Sequence, residues 1–239
     1  AVVVTVVAAV RSTWSPCGVS MLSSLTPLAE RGRGHRWGAT AAWFVAGAVL
    51  GGATLGVVTA GLAAAAGAAG VGGAWTLLAF GAAALAAAAS DARVGGVRLP
   101  GHTRQVNELW FGRYRPWVYG GGFGWQIGVG LATFITTSAV YVVVVASVLS
   151  GSPVVAFGLC TLFGLVRGLA VLAGRRLVDP AALASFHRRF DALAEPSRRV
   201  TATVLAVVGM AAIVAAGPEG LVLAVVGGLV GLLVSVVRG

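Results

Sequence analysis

Two cysteines are the residues of this chain whose chemistry stands out most from their surroundings. Cys17 follows Pro16 in the stretch STWSPCGVS, inside an otherwise apolar N-terminal segment, and Cys160 lies in a second apolar segment. A proline inside a helix removes a backbone hydrogen bond, and a membrane tolerates such a break only where protein or a water-lined cavity satisfies the freed groups. Thiol–disulfide exchange needs a thiolate and access to it. The sequence therefore predicts a polar break that exposes the Cys17 thiol, assisted by the hydroxyl groups of Ser12, Thr13, Ser15 and Ser20.

Two arginines, Arg11 and Arg167, also fall inside apolar segments. A charge within a membrane span is a functional hypothesis by default. Arg167 follows Cys160 by seven residues, so a helix would place both on one face about 10 Å apart. The two arginines either bracket a thiolate or an anionic substrate, or their side chains snorkel to the membrane surface. The cysteines, for their part, are either reactive thiols or small buried hydrophobes.

The elements that carry these residues are membrane spans. The chain is 58% hydrophobic and 10% charged, with a mean hydropathy of +0.92, whereas a soluble domain carries about a quarter charged residues. Apolar runs of about 20 residues, enough to cross a bilayer, recur along the whole sequence. We predict an all-α, multi-pass membrane protein with about seven spans: Ala1–Leu28, Trp37–Ala66, Val71–Ser90, Gly122–Leu149, Pro153–Gly174, Val200–Gly217 and Leu221–Val237.

The basic residues, all of them arginine, cluster in alternate loops between these spans. Placing the arginine-rich loops in the cytoplasm satisfies the positive-inside rule. This puts the N-terminus outside and the C-terminus inside, and the composition favours a bacterial plasma membrane. Because Ala1 is not an initiating Met, we expect the chain to belong to a longer gene product.

Other classes of function have little support in the sequence. The net charge of +10 is explained by topology and by contact with anionic lipids, so we predict no nucleic-acid partner. The histidines lie in separate loops without a cysteine or carboxylate cluster nearby, which argues against a metal site. The glycines form no nucleotide-binding motif, and we predict no cofactor. Within the spans they instead form pairs four residues apart, which favour close helix packing.

A repeated pattern links the two cysteines. Each lies in a span that ends in a basic loop and is followed by two further spans, and each precedes the first arginine of its loop by about four helical turns. The pattern predicts one transmembrane domain over residues 1–239, built from three-helix repeats at about 1–90 and 151–239 with a connector at about 91–150. Internal repeats with a site between them are common in transporters.

Two further segments have recognisable local signals. Asp179 and Pro180 predict a helix N-terminus, and the apolar residues that follow at helical spacing favour a short helix on the membrane surface. The aromatic residues between 110 and 125 are typical of a membrane-interface belt; they are Trp110, Tyr114, Trp117, Tyr119 and Trp125.

The stretch WSPCGVSMLSSLTPL around Cys17 resembles the Pro-Cys segment in the first helix of the CcdA/DsbD transmembrane thiol–disulfide carriers. The resemblance implies that Cys17 and Cys160 cycle between dithiol and disulfide. It also implies that reducing equivalents pass from a cytoplasmic thioredoxin-like donor to an extracytoplasmic thiol protein, for thiol-protein reduction or cytochrome c maturation. In this reading Pro16 keeps the helix broken, and Arg167 and Arg11 tune the charge around the thiols.

Two alternatives remain open at the level of sequence. A small-solute exporter would bind an anion or an amino-acid-like solute at Arg11 or Arg167, and its cysteines would be dispensable. A structural subunit would pack against a larger membrane complex and need neither. The carrier requires that the Cα atoms of the two cysteines approach within about 7 Å, whereas the exporter requires an arginine that faces a cavity.

Overall fold

A computed structural model describes residues 1–94, 99–100 and 109–217. Helices and irregular segments make up the described residues, with no strand among them, which confirms the all-α class. We number the α-helices α1 Val2–Arg11, α2 Pro16–Ser24, α3 Pro27–Gly32, α4 Trp37–Ala68, α5 Ala74–Ala92, α6 Trp110–Arg113, α7 Pro116–Val129, α8 Ala139–Leu149, α9 Pro153–Leu169, α10 Pro180–Ala192 and α11 Ala194–Ala215. Short 3-10 helices cover Ser12–Trp14 and Ala170–Arg176.

Four helical stretches are long and apolar enough to cross a membrane: Trp37–Ala68, Ala74–Ala92, Pro153–Arg176 and Pro180–Ala215. They correspond to four of the predicted spans and confirm a multi-pass membrane protein. The first predicted span forms as two helices with a bend between them. The pair counts as a fifth crossing if the two helices cross the membrane as one span. The predicted span Leu221–Val237 lies outside the described residues.

Two of the predicted spans are broken rather than continuous. Helices α1 and α2 meet at an angle of 71°. Ser15 there is extended, with φ −76° and ψ 154°, and its hydroxyl caps α2 by accepting from the Gly18 amide at 3.1 Å. The predicted span Gly122–Leu149 contains α7, an irregular segment from 130 to 138, and α8. Gly130, at φ 74°, ends α7 in a conformation that glycine adopts readily.

Helix α4 is the centre of the bundle because glycines let other backbones approach it. Its residues Gly47 and Gly51 lie against α7, and Gly52 lies against the carbonyl of Cys160 in α9. On the neighbouring helices, Gly164 of α9 and Gly128 of α7 both lie against Ala48 of α4. An added Cβ at any of these glycines would overlap a neighbouring main-chain oxygen, so the predicted small-residue pairs serve as packing surfaces.

The helix predicted after Asp179 forms as α10, and the Asp179 side chain caps it at the Ala182 amide, while its place on the membrane surface stays a prediction. It packs on the broken N-terminal segment of the chain. The Phe190 ring stacks on Trp14 with centroids 4.6 Å apart, the Trp14 indole donates to the Phe190 carbonyl at 2.8 Å, and His187 Nε2 lies 2.7 Å from the Ser23 hydroxyl. Helix α10 therefore covers the helix break as well as presenting a polar face.

Candidate functional site

Cys17 lies directly after the break, as the second residue of α2, with Pro16 as the first. Its side chain is 1% exposed and belongs to an apolar cluster with Met21, Phe44 and Phe123. The N-terminus of a helix carries a partial positive charge and unpaired amide groups. The predicted break beside this thiol is present, but the expected exposure of the thiol is wrong, because the side chain packs into this apolar cluster.

Arg167 joins the two broken helices. Its guanidinium is 2% exposed and donates to the Ile127 carbonyl in the last turn of α7 at 2.8 Å. It also donates to the Ser12 carbonyl at 3.3 Å and to the Ser15 hydroxyl at 3.4 Å. The last carbonyls of a helix have no partner within that helix, and a cation there is stabilised by the helix dipole. The Ile127 carbonyl also accepts from the Gly130 amide at 3.1 Å and the Ser12 carbonyl from the Ser15 amide at 3.2 Å, so the predicted intramembrane charge adds a second donor at each of the two breaks.

The guanidinium of Arg167 binds the Ser15 hydroxyl, two residues before Cys17, so Arg167 and Cys17 lie at the same helix break. A cavity of about 20 Å³ lies beside them, lined by Thr13, Gly18, Ile127 and Arg167 among others. A water molecule needs at least about 10–15 Å³ measured in this way. This cavity has room for about one water, but its lining is mostly apolar and does not include Cys17, so the wet spot predicted around the thiol is not present.

Cys160 lies in a different setting, in the interior of the unbroken helix α9. Its side chain is fully buried, and its sulfur lies 3.3 Å from the Thr59 hydroxyl and 3.5 Å from the Ser147 hydroxyl. No disulfide joins it to Cys17. Along α9, about 10 Å separate Cys160 from Arg167, the neighbour of Cys17. The structure thus brings Cys17 and Arg167 together but leaves Cys160 against α4 and α8. The three-helix repeat stays a prediction.

Arg11, the last residue of α1, faces away from this site. It is 7% exposed, its guanidinium lies over the Trp14 ring at 5.9 Å, and it lines a separate cavity with Asp91 and Arg198. The structure therefore places Arg11 and Arg167 in two different polar environments around the end of α1.

A buried carboxylate near Cys17 was missed by the sequence analysis. Glu30 is fully buried and accepts from the Tyr119 hydroxyl at 2.9 and 3.0 Å, from Thr40 at 2.6 Å and from Arg33 at 2.7 Å. The predicted place of Tyr119 in an interfacial belt is wrong, because Tyr119 is fully buried and belongs to the same cluster as Cys17. The sequence offered one signal for this role. Glu30 is an acidic residue in a loop that otherwise carries arginines, and the topology of the chain does not explain a negative charge there.

Within the described residues, no three His, Cys, Asp or Glu side chains lie together in a way that would hold a metal ion. The arrangement around Cys17 therefore consists of a thiol, a buried guanidinium and backbone groups at two helix breaks. Its available chemistry is that of a thiol at a helix N-terminus next to a fixed cation.

Comparison with known proteins finds similarity to methylamine utilization proteins. The chain is 34% identical over 174 residues to MauF of Paracoccus versutus, covering 67% of this chain and 59% of that protein. It is 35% identical over 164 residues to MauF of Paracoccus denitrificans, covering 67% of this chain and 58% of that protein. The chain thus spans less than two thirds of the length of these curated relatives. No protein-family model matches the chain, and no solved structure matches it.

Proposed function

We propose that this chain is a membrane protein for thiol–disulfide exchange in which Cys17 is the reacting thiol. The observation that carries the proposal is the position of Cys17 in the first turn of α2, two residues after Ser15, whose hydroxyl accepts a hydrogen bond from Arg167. The thiolate is the nucleophile in such exchange, and both a helix N-terminus and a neighbouring cation stabilise it. Because Cys17 is 1% exposed, the reaction requires α2 to swing away from α1 at the extended residue Ser15.

The exchange conserves atoms and electrons as follows. The Cys17 thiolate attacks one sulfur of a disulfide in a partner protein, forming a mixed disulfide and releasing the other sulfur as a thiolate, which takes up a proton. A second thiol then attacks the Cys17 sulfur of the mixed disulfide and releases the reduced partner. We assign that second thiol to Cys160, which must approach Cys17 by rearrangement of the broken segment. Two electrons and two protons pass from the cysteine pair to the partner.

A thioredoxin-like dithiol in the cytoplasm would restore the reduced pair, and an extracytoplasmic thiol protein would receive the reducing equivalents. This direction is the one that the resemblance to the CcdA/DsbD carriers implies, for a chain oriented in a bacterial plasma membrane with the N-terminus outside and the arginine-rich loops inside. The resemblance of the Cys17 stretch to the CcdA/DsbD carriers supports this role. The similarity to MauF extends the proposal to a part in methylamine utilization.

The proposal is tested by the reduction of a protein disulfide in a defined membrane. Pre-reduced wild-type protein in nanodiscs is mixed with an oxidised thioredoxin-fold protein, and the loss of its disulfide is followed by alkylation and mass spectrometry. Wild type is expected to reduce the disulfide, Cys17→Ser to leave it intact, and Cys160→Ser to stop at the mixed disulfide.

A Ser147→Ala variant is the matched control, because it removes a hydroxyl that contacts Cys160 and keeps both thiols. Reduction by Cys17→Ser at the wild-type rate would refute the role of Cys17. Full turnover by Cys160→Ser would remove Cys160 from the mechanism and leave the role of Cys17 intact.

A further inference from the structure

Helix α10 contacts the chain on both sides of the break at Ser15. Before the break, the Trp14 ring stacks on Phe190 with centroids 4.6 Å apart, and the Trp14 indole donates to the Phe190 carbonyl at 2.8 Å. After the break, the Ser23 hydroxyl in α2 lies 2.7 Å from His187 Nε2. His187 and Phe190 are three residues apart, about one turn of α10. One short helix therefore bridges the two arms that meet at Ser15.

The hydrogen bond between α10 and α2 has a defined direction. The Ser23 hydroxyl donates to the Val19 carbonyl at 2.8 Å. A hydroxyl group has one proton to donate, so Ser23 accepts from His187, which donates through Nε2. The His187 ring also lies 6.0 Å from Phe186, and Phe186 stacks on Phe190 at 5.5 Å. The side chains of α10 that hold the two arms are therefore connected to each other.

The segment that leads into α10 holds the other end of the broken region. The Leu177 carbonyl accepts from the Leu28 amide at 3.2 Å. Residues 177, 187 and 190 thus contact residues 28, 23 and 14 in turn, so the two parts of the chain run antiparallel. The broken region is held at three points, one of them before Ser15 and two of them after it.

Helix α10 is a surface element, whereas α2 is packed into the bundle. Every residue of α10, all of them within the described ranges, is half-buried or exposed. In α2, by contrast, Cys17 and Met21 are only 1% and 2% exposed. Segments with few buried contacts open locally at a lower free energy than the core does. The contacts of α10 are therefore the ones that open most readily around the break.

We propose that α10 is a clasp on the hinge at Ser15 and controls how often the Cys17 thiol becomes accessible. When α2 turns about Ser15, Ser23 moves relative to Trp14, and a rigid helix cannot remain in contact with both. At least one of the two contacts must therefore break before Cys17 leaves its apolar cluster. This regulation rests on the proposed reaction of Cys17, but the accessibility of the thiol is measured without that reaction.

The test compares the labelling rates of Cys17 and Cys160 in the same protein. The full chain in nanodiscs is treated with N-ethylmaleimide, and the labelled peptides are quantified over time by mass spectrometry. When opening and closing are fast relative to labelling, the rate follows the population of the open form. Cys160 lies in the unbroken helix α9, against Thr59 and Ser147, and therefore reports general loosening of the bundle.

Three variants weaken the clasp from its two sides. Phe190→Ala removes the stack on Trp14 and is expected to raise the labelling rate of Cys17 by about tenfold. His187→Ala removes the hydrogen bond to α2, and Trp14→Phe keeps an aromatic ring but loses the indole donor. Each of these two variants is expected to raise the rate by about fivefold, the equivalent of one hydrogen bond.

Two matched variants leave the clasp in place. Phe190→Tyr keeps the stacked ring, and Arg188→Ala changes an exposed residue of the same helix. Both are expected to label at Cys17 as wild type does. The labelling rate of Cys160 should be the same in wild type and in all five variants. Denatured protein, in which both thiols react, gives the full extent of labelling.

Wild-type labelling of Cys17 in both Phe190→Ala and His187→Ala would overturn the clasp. An equal rise for Cys17 and Cys160 would overturn it as well, because it would show that these contacts stabilise the whole bundle rather than the hinge. If Phe190→Ala fails to fold, His187→Ala and Trp14→Phe decide the question by the same two criteria.

The disulfide-reduction assay separates the clasp from the proposed function. Faster labelling of Cys17 in the clasp variants, together with no reduction of the partner disulfide by wild type, would retain the clasp and refute thiol exchange. Reduction by wild type, together with unchanged labelling in the clasp variants, would retain thiol exchange and refute the clasp.

Discussion

The guanidinium of Arg167 donates a 2.8 Å hydrogen bond to the carbonyl of Ile127, a residue 40 positions earlier in the chain. The same side chain reaches the Ser12 carbonyl at 3.3 Å. One cation from the continuous helix α9 therefore holds the ends of two interrupted helices, α1 and α7. Each of these carbonyls also accepts a backbone amide, from Gly130 and from Ser15, so Arg167 adds a second, charged donor at both breaks.

Replacing Arg167 by Met removes these charge-assisted hydrogen bonds, and the two carbonyls keep only the backbone amides of Gly130 and Ser15 as donors. We expect Arg167→Met to lower the free energy of unfolding by about 2–4 kcal/mol, measured by denaturant unfolding in detergent. The exposed Arg175→Met is the control and should leave the unfolding midpoint nearly unchanged. Equal midpoints for Arg167→Met and wild type would show that the arginine does not support the breaks.

Replacing two glycines of helix α9 by alanine should have opposite effects on stability. A Cβ at the buried Gly164 would overlap the Ala48 carbonyl oxygen, whereas a Cβ at the exposed Gly158 meets no atom within 4 Å. We expect Gly164→Ala to destabilise the bundle by about 1–3 kcal/mol or more through overpacking. Gly158→Ala should be neutral or stabilising, by up to about 1 kcal/mol, because alanine favours the helix. Comparable thermal midpoints for the two variants would contradict the close contact between α4 and α9.

The buried carboxylate of Glu30 fixes α3 to α4 and α7. In Glu30→Gln, an amide NH₂ group would face the hydroxyl and guanidinium donors that now bind a carboxylate oxygen, and we expect a loss of about 2–4 kcal/mol. Tyr119→Phe removes one donor and should cost about 1–2 kcal/mol. Thermal unfolding in detergent measures both, and Tyr114→Phe, at a residue that is 45% exposed, is the matched control. A Tyr119→Phe midpoint as high as that of Tyr114→Phe would argue against the network.

Much of the helical framework was predictable because apolar runs determine it. Helices α4, α5 and α9 follow the predicted spans closely, and the Pro16 break was indicated by proline followed by cysteine among hydroxyl residues. The second break was not predicted, since the segment 130–138 is nearly as apolar as a span. Gly130 and the hydroxyl groups near 136–138 distinguish this segment from a continuous span. These hydroxyl groups favour a break because Asp91, which is distant in sequence, binds Ser138 and Thr137.

The candidate site was predictable in its residue types but not in its partners. Arg167 was identified as an intramembrane charge, yet its ligands are main-chain carbonyls, and the sequence does not indicate which helix ends approach it. The expected pairing of Cys17 with Cys160 rested on the resemblance to the CcdA/DsbD carriers and on equal depth along two spans. The depth of a residue in the membrane depends on its position along the helix, whereas its lateral position depends on how the helices pack. Because the glycines of α4 allow α9 to pack closely against it, Cys160 lies next to Thr59 and Ser147.

The central claim is that Cys17 is the reacting thiol, and mapping a mixed disulfide tests it most directly. Wild-type and Cys160→Ser proteins in membranes are incubated with glutathione disulfide, remaining thiols are blocked with a maleimide, and the modified peptides are identified by mass spectrometry. A Ser150→Cys variant, at an exposed position between α8 and α9, serves as the positive control for reagent access. The account predicts a glutathione adduct on Cys17 in Cys160→Ser. An unmodified Cys17 in that variant, under conditions that modify Ser150→Cys, would contradict the account.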